Sequence, residues 1–176
     1  MNVLNKNLKI NNDINCLKFR SFEDSKFEVM DYLSDLKLKV YGKDLKELFE
    51  NAAVGMFYLI CEFKDVGNSI KKKIRIKVNE EITKEDLLIL WLEKLLFYHE
   101  TKKILFSKFC INDLIINNVD KKGNFYSCLD ALVLGEKIDL TKHEILINIK
   151  APTYHGLEIV KDNSSDEFFT QIIFDV

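Results

Sequence analysis

An α+β fold, with mostly antiparallel or mixed β-sheet packed with two main α-helices, is what this chain predicts, and three observations predict it. Two stretches, opening at Asp44 and at Thr83, carry apolar residues at three- and four-residue steps behind a helix-capping pattern. Most of the remaining chain alternates apolar and polar residues in short runs. The helices therefore interrupt a succession of strands, which is the ordering of an α+β chain. With 176 residues, 47% of them hydrophobic, and one proline, the chain is long enough for one well-cored domain and short for two.

Residues 1–24 are rich in Asn and Lys and read as a weakly structured N-terminal extension, within which Leu17 to Phe22 offers an edge strand. From Phe27 the alternation puts Phe27 and Val29 on one face, but Leu36, Leu38 and Val40 have the opposite parity. A strand changes parity only through a bulge or a turn, so the break falls between Asp31 and Leu36 and leaves Asp35 at an irregular point. Gly42 ends the run. Asp44 then caps a helix whose Leu45, Leu48, Phe49, Ala52, Met56 and Phe57 form an apolar stripe. In the next strand Ile70, Lys72, Ile74, Ile76 and Val78 share one face, and Lys71, Lys73, Arg75 and Lys77 the other. That basic face is either a solvated strand face or a contact for phosphates. Thr83 to Asp86 opens a second helix through Leu87, Leu88, Trp91, Leu92, Leu95 and Leu96. Being apolar on most sides, it is expected to be the most buried element. Strands follow at about 104–117, 125–137, 144–160 and 167–176, with Lys121-Lys122-Gly123-Asn124 as a hairpin connection. Pro152 removes a ladder donor, so the third of these strands is at an edge or bent there.

The formal charge of -2 gives no global electrostatic case for nucleic-acid binding, so direct binding is not expected and any RNA contact has to be local or indirect. Cys16, Cys61, Cys110 and Cys128 lack C-x-x-C spacing, and neither a signal peptide nor a long apolar run is evident. The expectation is a cytoplasmic protein with reduced cysteines and no membrane span.

Candidate chemistry collects at the chain end. Ile172-Ile173-Phe174-Asp175-Val176 is an apolar strand that stops one residue after an aspartate, which sets the Asp175 side chain beside the terminal carboxylate of Val176. Buried anions need a partner, and two unit charges about 4 Å apart repel by roughly 4 kcal/mol at an effective dielectric of about 20. Either a cation is held there or the strand frays and both groups sit in water. Asp35, Asp175 and the Val176 carboxylate are hard oxygen donors of the kind that select Ca²⁺ or Mg²⁺. His155 shares a strand face with Thr153 and is either a ligand or proton shuttle, or a hydrogen-bonded core histidine. Asp31 and Asp35 have no nucleophile or histidine partner in sequence, and no phosphate-binding loop, nucleophile elbow, zinc helix or EF-hand motif occurs. No catalytic residues are assigned.

The chain resembles the archease family over about residues 26–176. The likeness rests on Asp31-Tyr32-Leu33-Ser34-Asp35 with Val40-Tyr41-Gly42 and the stretch Leu45 to Ala53, and on Leu105-Phe106-Ser107. It rests equally on Lys150-Ala151-Pro152-Thr153-Tyr154-His155-Gly156-Leu157 with the terminal Phe174-Asp175-Val176. The resemblance implies an archease domain over residues 25–176. It implies an accessory protein, not an enzyme, that assists an RtcB-type GTP-dependent RNA ligase in tRNA splicing or RNA repair by promoting ligase guanylylation and multiple turnover. It also implies a divalent metal, Ca²⁺ or Mg²⁺, with ligands at Asp35, Asp175 and the Val176 carboxylate. The family's first motif usually reads D-H-T-A-D; here Tyr32 and Leu33 replace its His and Thr. The alternatives are a chaperone-like modulator of another RNA-modifying enzyme, such as a methyltransferase, and an autonomous metal-dependent hydrolase.

Overall fold

The computed structural model describes residues 19–32, 35–62 and 66–176, the side chains of Asp31, Tyr32 and Asp35 excepted. In chain order its elements are a 3-10 turn (Phe22–Asp24), β1 (Phe27–Tyr32), β2 (Asp35–Gly42), α1 (Leu45–Ile60), β3 (Ile70–Val78), α2 (Lys84–Lys102), β4 (Ile104–Val119), β5 (Phe125–Lys137), β6 (Ala151–Thr153), β7 (Val160–Lys161) and β8 (Phe168–Asp175). The strands make two sheets. The larger runs β1-β2-β8-β6, with β7 also on β8, and the smaller runs β3-β5-β4. All these pairings are antiparallel, so the fold is α+β as the sequence implies.

Both helices begin where their caps lie. The Asp44 carboxylate accepts the Glu47 amide at 2.8 Å. At α2 the Thr83 hydroxyl accepts the Asp86 amide at 3.0 Å while the Asp86 carboxylate accepts the Thr83 amide at 2.8 Å, a reciprocal box that satisfies otherwise orphaned donors. The expectation that α2 is the most buried element is wrong. Thirteen of the sixteen residues of α1 are buried against eight of nineteen in α2, because α1 packs on β2 of the larger sheet and on β4 of the smaller one at once. Between the helices and the smaller sheet lies an aromatic core. Phe57 meets Phe106 edge-on at 5.6 Å, Trp91 meets Phe109 at 6.4 Å, and the Trp91 indole N–H donates to the Phe49 carbonyl at 3.0 Å.

The change of parity after Asp31 is a hairpin. Tyr32 pairs with Asp35, and the two intervening residues, Leu33 and Ser34, lie outside the described ones. The edge strand expected over Leu17 to Phe22 reduces, among the described residues, to a single bridge between Arg20 and Phe109, and Phe22 already belongs to the 3-10 turn. The long strand expected over 144–160 is also corrected. Only Ala151–Thr153 and Val160–Lys161 are strand, with an isolated bridge from Ile145 to Cys61 before them. Pro152 has no ladder donor, and Gly156 turns the chain at φ 64°, where the Leu157 amide donates to the Tyr154 carbonyl at 3.2 Å. Cys61 and Cys128 carry no disulfide, whereas Cys110 is disulfide-bonded, which corrects the expectation of reduced cysteines at that position. Cys110 lies beside Leu132 and under Phe19, where the N-terminal segment crosses β4. Cys16 and the rest of residues 1–18 lie outside the described residues.

Candidate functional site

The antiparallel register of the larger sheet brings its acidic positions to one end. Leu36 pairs with Phe174, Lys37 with Ile173, and β1 meets β2 through Tyr32 and Asp35. The paired register ends at Leu36 and Phe174, and the next residues on the two strands are Asp35 and Asp175. On its other side Asp175 pairs with Ala151 of β6. The row across the sheet end is therefore Tyr32, Asp35, Asp175 and Ala151, and all four belong to the motifs that carried the family resemblance.

Phe174 is fully buried, but Asp175 and Val176 emerge into solvent, so the anions are not buried with the strand that delivers them. The terminal carboxylate is also not without a protein cation. Lys150 Nζ donates to the Val176 terminal oxygen at 2.7 Å, and the Lys150 amide donates to the Asp175 carbonyl at 2.8 Å. Lys150 was not singled out in the sequence; its signal was its place at the head of the Lys150 to Leu157 motif. Among the described residues no group of three His, Cys, Asp or Glu side chains is arranged to hold a metal ion. The Asp35 side chain, one of the three expected ligands, lies outside the described residues, as does that of Asp31, whose backbone pairs with Leu36 one step further from the sheet end.

The rest of that motif anchors the site to the body of the protein. Thr153 pairs with Ile173, and its hydroxyl is buried without a hydrogen-bond partner. Tyr154 is exposed and hydrogen-bonds Asp86, the capping carboxylate of α2; these hydrogen bonds, the Thr83 hydroxyl first, hold the Asp86 carboxyl below its usual range. His155 is not a core histidine: it sits in the exposed turn that follows β6.

Two further ionic clusters serve the fold. Glu50 on α1 accepts the Ile111 amide at 2.7 Å and lies 3.7 Å from Arg20, with Glu47 alongside at 3.4 Å from the same guanidinium. Burial raises the Glu50 carboxyl to about 7, against the opposing pull of the Ile111 amide and Arg20. Glu136 gathers Lys142 at 2.5 Å, the Gly67 amide and His143 at 3.1 Å, which lower its carboxyl to about 2. The cluster ties Gly67 and the Lys142–His143 turn to β5.

A two-sheet α+β protein with two capped helices and a carboxylate-bearing strand end matches a known class. The model of the archease protein family matches residues 27–176, and the chain belongs to that family. Protein archease of Methanosarcina barkeri is 34% identical over 156 residues, 89% of this chain and 99% of that protein. Protein archease of Methanothermobacter thermautotrophicus is 36% identical over 137 residues, 78% of this chain and 90% of that one. The solution structure of Methanobacterium thermoautotrophicum protein 1598 superposes with a TM-score of 0.67 at 33% identity, covering 85% of this chain and 98% of its own. No helix among the described residues is long and apolar enough to cross a membrane.

Proposed function

We propose that this protein is a metal-binding accessory protein of RNA processing that activates an RtcB-type RNA ligase, promoting guanylylation of the ligase and its multiple turnover. Family membership supports the accessory role. The observation that carries the metal reading is the register that ends with Asp35 and Asp175 as the next residues of the two strands, beside the chain terminus. Like charges directly opposite each other on neighbouring strands destabilise a sheet, and hard carboxylate oxygens suit Ca²⁺ or Mg²⁺. Asp35, Asp175 and the Val176 carboxylate would hold the ion, with Lys150 already offsetting part of the terminal charge. A divalent cation supplies charge compensation for phosphoryl groups during nucleotidyl transfer. Held by these residues, the ion would lie at an exposed sheet end that a partner can reach.

Thermal unfolding after EDTA treatment, with and without added Ca²⁺ or Mg²⁺, tests the site. Metal raises the midpoint of the wild-type protein by mass action and leaves Asp35→Ala and Asp175→Ala unchanged; equal responses in all three proteins remove Asp35 and Asp175 as ligands. A C-terminal tag, which turns the terminal carboxylate into an amide, abolishes the same response. Catalytic amounts of the wild-type protein added to its cognate ligase increase covalent guanylylation and turnover. A ligase indifferent to the protein sinks the partner assignment, and a gain in the activity of an RNA methyltransferase instead supports the chaperone-like alternative.

A further inference from the structure

The strand β3 carries a cationic row that the proposed metal site does not use. Lys71, Lys73, Arg75 and Lys77 are all exposed on one face while Ile74 is buried on the other. Alternate residues of a strand are about 6.6 Å apart, so the four cations form a straight, evenly spaced line. Their register partners on β5 are Leu134, Leu132, Asp130 and Cys128. β3 is the outer strand of its sheet among the described residues, which leaves one flank of the line open to solvent.

Two hollows border the line and share Arg75 and Asp130. One, of about 410 Å³, lies beside Lys73, Asn112 and Asp113, and the other, of about 680 Å³, extends past Lys77 and Asn79 to the β4–β5 hairpin. At the hairpin end stand the exposed Lys121, Lys122 and Phe125, and Tyr126 on the face of the cations. The acids of this trough are largely engaged. Asp130 holds Arg75 through two contacts of 2.6 and 3.1 Å, and Asp120 accepts the amides of Lys122 and Asn124 at 2.7 and 3.0 Å. Asp113 remains. Among the described residues the two hollows are thus lined by four cations, Lys73, Arg75, Lys77 and Lys121, and three carboxylates, with the exposed Lys71 and Lys122 at the two ends of the line.

We propose that this trough binds the phosphodiester backbone of a single-stranded nucleic acid without sequence preference. A line one strand wide follows consecutive phosphates of one chain, the exposed Phe125 ring at its end gives bases a stacking surface, and the cations supply the affinity. Lysines on an outer strand also discourage edge-to-edge pairing, but that role requires neither the adjoining trough nor the aromatic end.

Fluorescence anisotropy with labelled oligouridylate and oligothymidylate tests the proposal. Both bind, with a log affinity that falls against log salt at a slope of about -2 to -3, as three or four phosphate contacts on a single strand dictate. Tighter binding of oligouridylate assigns the site to RNA, and equal binding to single strands in general. The exposed triple variant Lys71→Glu/Lys73→Glu/Lys77→Glu weakens both by at least about tenfold and flattens the slope, with its unfolding midpoint as the control for folding. Lys121→Glu/Lys122→Glu gives a smaller loss of the same kind, and Phe125→Ala weakens binding without changing the slope. Absence of salt-sensitive binding to either probe overturns the proposal. So does a triple variant that aggregates or pairs with itself while binding as well as the wild type, which would assign the lysines to edge protection. Ligase stimulation is read separately, so failure here leaves the proposed accessory function standing.

Discussion

The two sheets hold the same helix by different means. The larger one meets α1 by close packing: Gly55 lies against Leu38 of β2, and a Cβ at that position would come within 2.5 Å of a Leu38 methyl. The smaller one meets it through ring packing of Phe57 on Phe106 and, in addition, through a buried carboxylate, Glu50 to the Ile111 amide of β4, and is itself pinched where Gly135 of β5 passes the Leu105 carbonyl. Their chemistry is placed differently as well. The larger sheet gathers carboxylates at its strand ends, and the smaller one displays cations along the open face of its outer strand. Contacts made of side-chain methyls adjust to an insult, whereas contacts made of backbone or of a buried charge do not.

The sharpest break of this comparison is Gly135→Ala. Its Cβ would overlap a backbone carbonyl that cannot rotate away, so a loss of about 3 kcal/mol or more is expected in denaturant unfolding. Gly55→Ala costs about 1 kcal/mol or less, because the Leu38 side chain can shift and alanine favours the helix by about that amount. Equal losses for the two would mean that the larger sheet is as rigid as the smaller.

Glu50 gives a pH-dependent version of the same test. Its carboxyl titrates at 4.5 unfolded and at about 7 folded. Between those values the folded protein keeps a proton that the unfolded chain has released, so stability falls as pH rises through that window. The loss amounts to about 3 kcal/mol and is complete above the folded value. Glu50→Gln still accepts the Ile111 amide and flattens the dependence, leaving the variant more stable than wild type at pH above that window; urea titrations across the range measure it. A wild type whose stability is flat over the window would show that Arg20 keeps Glu50 ionised throughout.

A comparably small effect belongs to a feature neither sheet depends on. Thr83→Ala removes the α2 cap and costs about 1 kcal/mol, read as a shift in urea midpoint. A loss comparable to that of Gly135→Ala would mean that the cap also supports the Tyr154 turn through Asp86.

Local signals were readable because their causes are local. A cap needs only its own first turn, so Asp44 and Thr83 announced their helices. The alternation of β3 needs only its own pleat, so both its buried Ile74 and its basic face were legible. The run from Ile145 to Ile159 also alternates, yet most of it is not strand, because periodicity does not reveal whether a neighbour is present to complete a ladder. The burial ranking of the helices was misread for a related reason. Leucine content measures how apolar α2 is, while the position of α1 between the sheets decides how much of it is covered.

By itself, the sequence determined the α+β class, the helix starts, the basic face of β3 and, through its motifs, membership of the archease family, since each is written in residues close together along the chain or in a pattern matched position by position. Tertiary structure alone decided that the parity break is a hairpin, that the β2–β8 register ends with Asp35 and Asp175 as the next residues of the two strands, and that Lys150 closes on the Val176 backbone oxygen. Those facts depend on the register of strands up to 140 residues apart, between Asp35 and Asp175, and register is settled by which buried faces must coincide, a condition that no single segment contains.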